Sequence, residues 1–418
     1  MEYGLIGMPL GHSYSREIHE QIADYRYELC EVTREQAADL LTKREFRAIN
    51  VTIPYKEFVI PFLDEISEEA RAIGAVNTIV NRGGRLIGHN TDFAGLRELV
   101  LRCPADLSGK KALILGTGGT AKTARAVLTS LGCEPVITVS RTGREGAITY
   151  EEALRDHTDA AFLLNATPVG MYPHNDGMPV DPAAFPELLG VIDVIYNPLR
   201  TRLVQQARAC GVFAEGGLLM LAAQAVYAAE WFLDEAFGPE KERALIDKAY
   251  RHVAALRGNL VLTGMPGSGK STVGRLLAEA LGHPFVDLDE EIVKETGMPI
   301  ADFFAAHGEA AFRDMEAAVC VREAKEPGRV IATGGGAILR EENVRALRQN
   351  GTLIFLDRPL AELVGTPDRP LSRDAGALKK RYEERYERYC ETADIRVDVR
   401  GDAESAAQAV LRAVREGS

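Results

Sequence analysis

The sequence has no excess of positive charge. Lys and Arg number 49 against 61 Asp and Glu in 418 residues, a formal charge of −12 with an isoelectric point near 5.3. That balance argues against nucleic acid or an anionic membrane as the main partner, so anionic ligands must be held by local positive groups. Cysteine is sparse: Cys30, Cys103, Cys133, Cys210, Cys320 and Cys390 are scattered with no CxxC spacing. That pattern excludes a zinc site and a disulfide framework and points to a reducing cytoplasm. Long apolar runs are missing too. The longest, Leu218 to Ala229, contains Gln224 and is too short for a bilayer. The opening Met1-Glu2-Tyr3-Gly4 lacks a basic and then apolar leader, so no secretory signal is expected. Internal repeats and low-complexity tracts are also absent. What remains is a chain with 46% hydrophobic residues and a length that suits about two or three domains.

The clearest positive signal is Gly264-Met-Pro-Gly-Ser-Gly-Lys-Ser-Thr272. An apolar strand, Leu260 to Thr263, precedes it, and Val273, Leu276, Leu277, Ala280 and Leu281 follow on one helical face up to Gly282. Strand, glycine loop, lysine, hydroxyl and helix form a P-loop in its required context. Backbone N–H groups of Gly264, Gly267, Ser268, Gly269 and Thr272 can point at phosphate oxygens, helped by the helix N-terminus. Lys270 can reach the terminal phosphates and Ser271 can ligate Mg²⁺. This part of the chain is expected to use ATP.

A second nucleotide signal lies upstream. The strand Ala112–Leu115 runs into Gly116-Thr117-Gly118-Gly119-Thr120-Ala121, and a helix follows to Leu131. This is a Rossmann-type turn with a shifted glycine pattern. The next strand, Val136–Val139, ends in Ser140-Arg141-Thr142, with Arg144 close behind. A site for NAD puts an acidic residue there, whereas arginine suits the 2′-phosphate of NADP; a solvent-exposed loop arginine is the plainer alternative. Later strands at Phe162–Asn165 and Val191–Val194 end in loops at the ligand-binding edge of such sheets.

The first hundred residues carry polar groups at the ends of apolar runs. Ser13 and Ser15 are two apart and can face one pocket, or Ser15 can cap a helix. The strand ending Asn50-Val51-Thr52-Ile53 meets Pro54, which is expected to open a helix with Lys56 in its first turn. Asn77 and, after a Gly83-Gly84 hairpin, Asp92 also stand at run ends; Asp92 is equally suited to cap a helix through Leu101.

Taken in order, the serine pair, Asn50-Val-Thr-Ile-Pro-Tyr-Lys56, Ala75-Val-Asn-Thr78 and Asn90-Thr-Asp92 resemble shikimate dehydrogenase over roughly Glu2 to Leu256. Arg16 where the family often has proline, and Ser140 where it has asparagine, are departures. The resemblance implies that Ser13, Ser15, Thr52, Asn77 and Asp92 hydrogen-bond the substrate, and that Lys56 and Asp92 form the acid/base pair. Gln224 and Tyr196 would face the substrate pocket, with Gly217 and Met220 beside the nicotinamide. It also implies a substrate domain over 1–95 completed by 217–256 and a Rossmann domain over 96–216, which leaves 257–418 to the P-loop domain. A quinate-preferring, NAD-linked dehydrogenase is a neighbouring reading, and a nucleotide sensor without turnover is a more distant one.

The last third adds Phe285-Val-Asp287-Leu-Asp289, expected as a strand with both carboxylates on one side. Asp289 could instead cap a helix ahead of Ile292. With Phe312-Arg313, Thr333-Gly-Gly335-Gly336, Asp368-Arg369-Pro-Leu371, and Arg385 before Tyr389, this set resembles shikimate kinase from about Asn259 onward. That resemblance gives Asp289 the acceptor hydroxyl, Asp287 and Ser271 the Mg²⁺, and Arg313 and Arg385 the substrate carboxylate. Gly335 and Gly336 would lie against the ring, and Arg369 and Lys270 would meet the transferring charge. The stretch before Arg369 is shorter than the family's, and Arg373 is the arginine available to replace one missing there. The fold expected throughout is α/β. The expected partners are the small molecules 3-dehydroshikimate and shikimate, with NADP(H), ATP and Mg²⁺.

Overall fold

The computed structural model describes residues 1–11, 13–144, 146–363 and 375–416. His12, Arg369 and Arg373 therefore lie outside the described residues. The chain divides into two compact units, Met1–Ala254 and Ala255–Ser418.

The first unit holds two sheets. One contains β1 (Tyr3–Gly7), β2 (Tyr27–Glu31), β3 (Ala48–Val51), β4 (Glu65–Ile66), β5 (Thr78–Arg82) and β6 (Arg85–His89), in the order β2-β1-β3-β5-β6-β4. β1 and β3 run parallel with Ile6 opposite Val51, so the loops bearing Ser13 and Thr52 leave the sheet side by side. β5 pairs antiparallel with both β3 and β6, and the Gly83-Gly84 hairpin joins β5 to β6 as expected.

The other sheet contains β7 (Ala112–Leu115), β8 (Val136–Ser140), β9 (Ile148–Thr149), β10 (Phe162–Asn165), β11 (Gly190–Asp193) and β12 (Phe213–Glu215), ordered β12-β11-β10-β7-β8-β9 and parallel throughout. Its central strands β7, β10 and β11 are buried along their whole length, as in sheets covered by helices on both faces. Chain order reverses between β7 and β10, and a crevice opens at such a switch point beyond the carboxyl ends of the strands.

The helix Leu218–Leu233 is apolar around most of its circumference, as an interior helix must be. Its Met220 carbonyl and Gln224 lie so close to Gly95 of the helix Thr91–Leu101 that no side chain fits between them. At its other end Phe232 stacks on Tyr3, with centroids 5.6 Å apart.

The second unit is a parallel sheet of β13 (Asn259–Thr263), β14 (Phe285–Asp287), β15 (Val330–Ala332), β16 (Gly351–Asp357) and β17 (Ile395–Asp398), ordered β14-β15-β13-β16-β17. β13 is central, and the P-loop leaves its carboxyl end before the helix Lys270–Leu281, which closes on Gly282 at φ 68°.

Three local expectations change. Pro54 does not open a helix; its peptide bond is cis, and residues 53–59 run in turns before a short 3₁₀ segment at Ile60–Phe62. The buried Tyr55 ties this stretch down by donating its hydroxyl to the Val32 carbonyl at 2.6 Å. β14 ends at Asp287, and Asp289 lies in the first turn of the helix Leu288–Thr296. The cap is Asp287, which accepts from the Asp289 N–H at 3.0 Å. Ser15 is the first residue of the helix Ser15–Ile22 and does not cap it.

Candidate active sites

In the first unit, the carboxyl ends of β1 and β3, the start of β5 and the start of helix Thr91–Leu101 supply the polar groups. Ser15 is buried, and its hydroxyl lies 3.1 Å from that of Ser13. Thr52 directly follows β3, with its N–H on the Ile6 carbonyl at 3.0 Å. Asn77 is buried and heavily bonded: its Oδ1 accepts from the Thr91 N–H at 2.8 Å and the Thr78 hydroxyl at 3.0 Å. Its Nδ2 donates to Thr91 Oγ1 at 3.1 Å and to Gln224 Oε1 at 3.4 Å. That last contact brings in a residue 147 positions away. Tyr196 packs edge-on against Tyr14, centroids 5.2 Å apart.

Asp92 follows directly on Thr91, in the first turn of its helix, where a carboxylate suits the helix dipole. It does not cap that helix. Its Oδ2 instead receives the Lys56 Nζ at 2.6 Å, with the two side chains 16% and 28% exposed. A cation whose proton is shared with a half-buried carboxylate can give that proton to a developing oxyanion.

At the switch point of the parallel sheet, Gly116 approaches the Ala166 backbone so closely that a Cβ would lie 3.0 Å from its carbonyl. Gly118 and Gly119 face open space at the start of helix Gly119–Ser130, with Thr120 in its first turn. Arg141, Thr142 and Arg144 are exposed just beyond β8, and Ser140 accepts from the Gly143 N–H at 3.1 Å. These residues fit a dinucleotide: close backbone and a helix N-terminus for pyrophosphate, and two guanidinium groups for a 2′-phosphate. Gly217 packs against the Val194 backbone and Met220 is half-buried on the next turn.

The sequence reading missed a buried network behind this loop. Asp193 is fully buried and accepts from Thr201 Oγ1 at 2.7 Å, Asn165 Nδ2 at 3.0 Å and the Ile195 N–H at 3.1 Å. Burial nevertheless pushes its carboxyl up to about 7, against those three bonds. The folded state therefore holds this proton more tightly than the unfolded chain does. Its stabilising contribution is full below the ordinary carboxyl range and lost as pH rises towards 7. Asp193→Asn should remove that dependence, so calorimetric unfolding curves of variant and parent should diverge between pH 4 and 7. Parallel curves would refute the assignment.

In the second unit, a cavity of about 930 Å³ is lined by the P-loop, both aspartates and the glycine run after β15. Gly267 and Gly269 take φ of 83° and 93°, which glycine adopts without strain. Gly264 and Ser268 sit at the base of the loop, and Thr272 lines the cavity beside Ser271. Lys270 is buried and donates to the Gly264 and Met265 carbonyls at 2.9 and 3.0 Å. Ser271 Oγ donates to Asp287 Oδ2 at 2.5 Å, a hydroxyl and a carboxylate of the hard-oxygen kind that Mg²⁺ takes along with water and phosphate.

Asp289 lies against the glycine run: a Cβ at Gly334 would stand 2.8 Å from its Oδ1 and from Glu316 Oε1. At Gly336 a Cβ would collide with the Arg313 guanidinium, and Arg385 donates to the Gly335 carbonyl at 3.0 Å. Glu316, also missed from sequence, is buried and pairs with Arg313 at 2.7 Å. Burial pushes the Glu316 carboxyl up, Arg313 opposes this, and Asp289 adds to it. Its three-residue spacing from Arg313 on a helix was the available signal.

Two family models match the chain: shikimate dehydrogenase substrate binding domain over residues 5–79, and shikimate kinase over 266–415. A shikimate dehydrogenase (NADP(+)) from Clostridium perfringens is 35% identical over 246 residues, spanning 54% of this chain and 90% of that protein. Among solved structures, shikimate dehydrogenase 1 from Peptoclostridium difficile is 34% identical with a TM-score of 0.54, covering 60% of this chain and 98% of the other. The Thermus thermophilus shikimate 5-dehydrogenase in complex with NADP(H) and shikimate is 31% identical, with a TM-score of 0.53 over 60% and 99% of the two chains.

Proposed function

The chain belongs to the shikimate dehydrogenase family in its first unit and carries a shikimate kinase domain in its second, and from that premise we propose a single enzyme with two active sites for one metabolite. The first site reduces 3-dehydroshikimate to shikimate with NADPH. The second phosphorylates shikimate to shikimate 3-phosphate with ATP. The observation that carries the reading is that each unit has its own reactive pair, Lys56 with Asp92 and Lys270 beside Ser271–Asp287.

In the first site, bound NADPH supplies the hydride. Ser13, Ser15, Thr52, Asn77 and Gln224 orient the substrate by its carboxylate and hydroxyls, with Tyr196 closing the pocket. Lys56 gives a proton to the oxygen as the ketone becomes an alcohol, and Asp92 holds the ammonium in line and accepts from the neighbouring hydroxyl. Arg141 and Arg144 hold the 2′-phosphate, and Gly217 and Met220 flank the nicotinamide.

In the second site, Asp289 takes the proton of the attacking hydroxyl. Lys270, the loop N–H groups and Arg369 carry charge on the phosphoryl group, and Ser271 and Asp287 hold Mg²⁺. Arg313 and Arg385 grip the substrate carboxylate, backed by Gly335 and Gly336. Glu316 aims Arg313, so Glu316→Gln should raise the KM for shikimate in phosphorylation by roughly tenfold, the scale of one weakened charged hydrogen bond. An unchanged KM would remove Glu316 from this role.

The test of the whole reading is two assays on one purified full-length protein: oxidation of NADPH with 3-dehydroshikimate, and ATP-dependent formation of shikimate 3-phosphate. Absence of either product defeats it. Among the described residues no helix is long and apolar enough to cross a membrane. The described cysteines are all free, which supports a cytoplasmic setting; recovery of both activities in a membrane fraction would contradict it.

A further inference from the structure

Thr91, which bonds Asn77 in the substrate pocket, also lines a second cavity of about 460 Å³ that the two reactions do not use. Its walls come from the end of β6, the start of helix Thr91–Leu101, and the Tyr227–Trp231 turn of helix Leu218–Leu233. The His89 ring lies flat on the Trp231 indole, with centroids 3.7 Å apart and planes 16° apart.

Two polar side chains in this wall are unsatisfied. His89 and Asn90 are 7% and 8% exposed, yet His89 Nε2 and Asn90 Oδ1 have no hydrogen-bond partner. Asn90 is fixed in orientation, because its Nδ2 donates to the Ala75 carbonyl at 2.9 Å. A buried acceptor left unmade is costly, and a ligand donor would relieve it.

The wall is also one-sided in charge. Glu69, Glu230, Asp234 and Glu235 line it, and no lysine or arginine does among the described residues. Arg82 balances Asp234 at 3.2 Å and Lys241 balances Glu235 at 2.7 Å, both from outside the lining. Glu230 takes the Phe237 N–H at 2.7 Å, and burial together with Glu230 and Glu98 pushes the adjacent Glu242 carboxyl up. Burial holds His89 down at about 4, so the imidazole is neutral at physiological pH and offsets none of this charge.

We propose that this cavity binds a small organic cation: a flat apolar body against Trp231 and Tyr227, and an ammonium held by Glu230 and Asn90 Oδ1. Stacking and cation–π attraction favour such a ligand over an anion or a bare metal ion, and the volume lies within the range of small-molecule sites.

Trp231 is the only tryptophan in the chain, so its emission reports directly on the cavity. Phenethylamine titrated into the full-length protein should give a saturable change in emission, and phenethyl alcohol and hydrocinnamate at equal concentration should not. Glu230→Gln keeps an acceptor for the Phe237 N–H and should weaken the amine midpoint about tenfold, with dehydrogenase turnover unchanged. Glu69→Gln, on an exposed position, should weaken it in the same direction and serves if the first variant folds poorly. No saturable response to the amine, an equal response to the alcohol, or an unchanged midpoint in the charge variants would overturn the proposal.

Discussion

Lys56→Ala should lower turnover in the reduction of 3-dehydroshikimate by about 10²–10⁴-fold, the usual worth of a positioned proton donor. The basis is the 2.6 Å contact between Nζ and Asp92 Oδ2. Without the ammonium, the alkoxide that forms at the substrate has no proton source held in place. The fold should survive, because the Asp92 side chain, already 16% exposed beside the lysine, gains access to water when the lysine is removed and keeps the favourable first turn of its helix. KM for the substrate should change little, since Ser13, Ser15, Asn77 and Gln224 remain. Lys56→Arg should not restore activity: a guanidinium keeps the charge but holds its proton too tightly to donate it. Steady-state kinetics in both reaction directions, with phosphorylation assayed on the same preparation, make the test. Turnover within tenfold of the parent would remove Lys56 from the chemistry.

Lys270→Ala should cost phosphorylation about 10²–10³-fold and leave dehydrogenation intact, the scale set by removing one fixed positive donor from a charged transition state. Lys270 is buried and bridges two loop carbonyls, at 2.9 and 3.0 Å. Its loss therefore also loosens the loop, and ATP binding should be measured by calorimetry beside turnover. A weaker Kd with unchanged kcat would make Lys270 a loop-shaping residue only. If either single variant abolished both reactions, the two sites would not be independent.

The strands and nucleotide loops could be read from the sequence because apolar runs such as Ala112–Leu115 and Leu260–Thr263 are buried along their whole length and end on glycine. Errors came where a tertiary contact or a cap outweighed the local pattern. Phe285 to Asp289 alternates like a strand, but Asp287 is a strong helix cap, and the buried Leu288 and Ile292 already have helical spacing. Pro54 looked like a helix start, yet the Tyr55 anchor holds the chain in turns. Asp193 escaped notice because its partners lie on another strand and a loop, and Glu316 because an acid three residues from an arginine on a helix reads as an ordinary surface pair; only the fold reveals that both carboxylates are buried. Arg369 falls outside the described residues.

The bonding around Asn77 has a consequence for how the pocket receives its guest. Asn77 is gripped by short contacts from Thr91 and Thr78, at 2.8 and 3.0 Å, whereas the Gln224 carbonyl oxygen rests on Asn77 and Thr91 at 3.4 and 3.5 Å. The slackest member yields first. In the role proposed for Gln224, its amide turns to an arriving hydroxyl while the asparagine stays clamped, so entry exchanges two lax internal contacts for a firm external one and leaves the rest of the scaffold undisturbed.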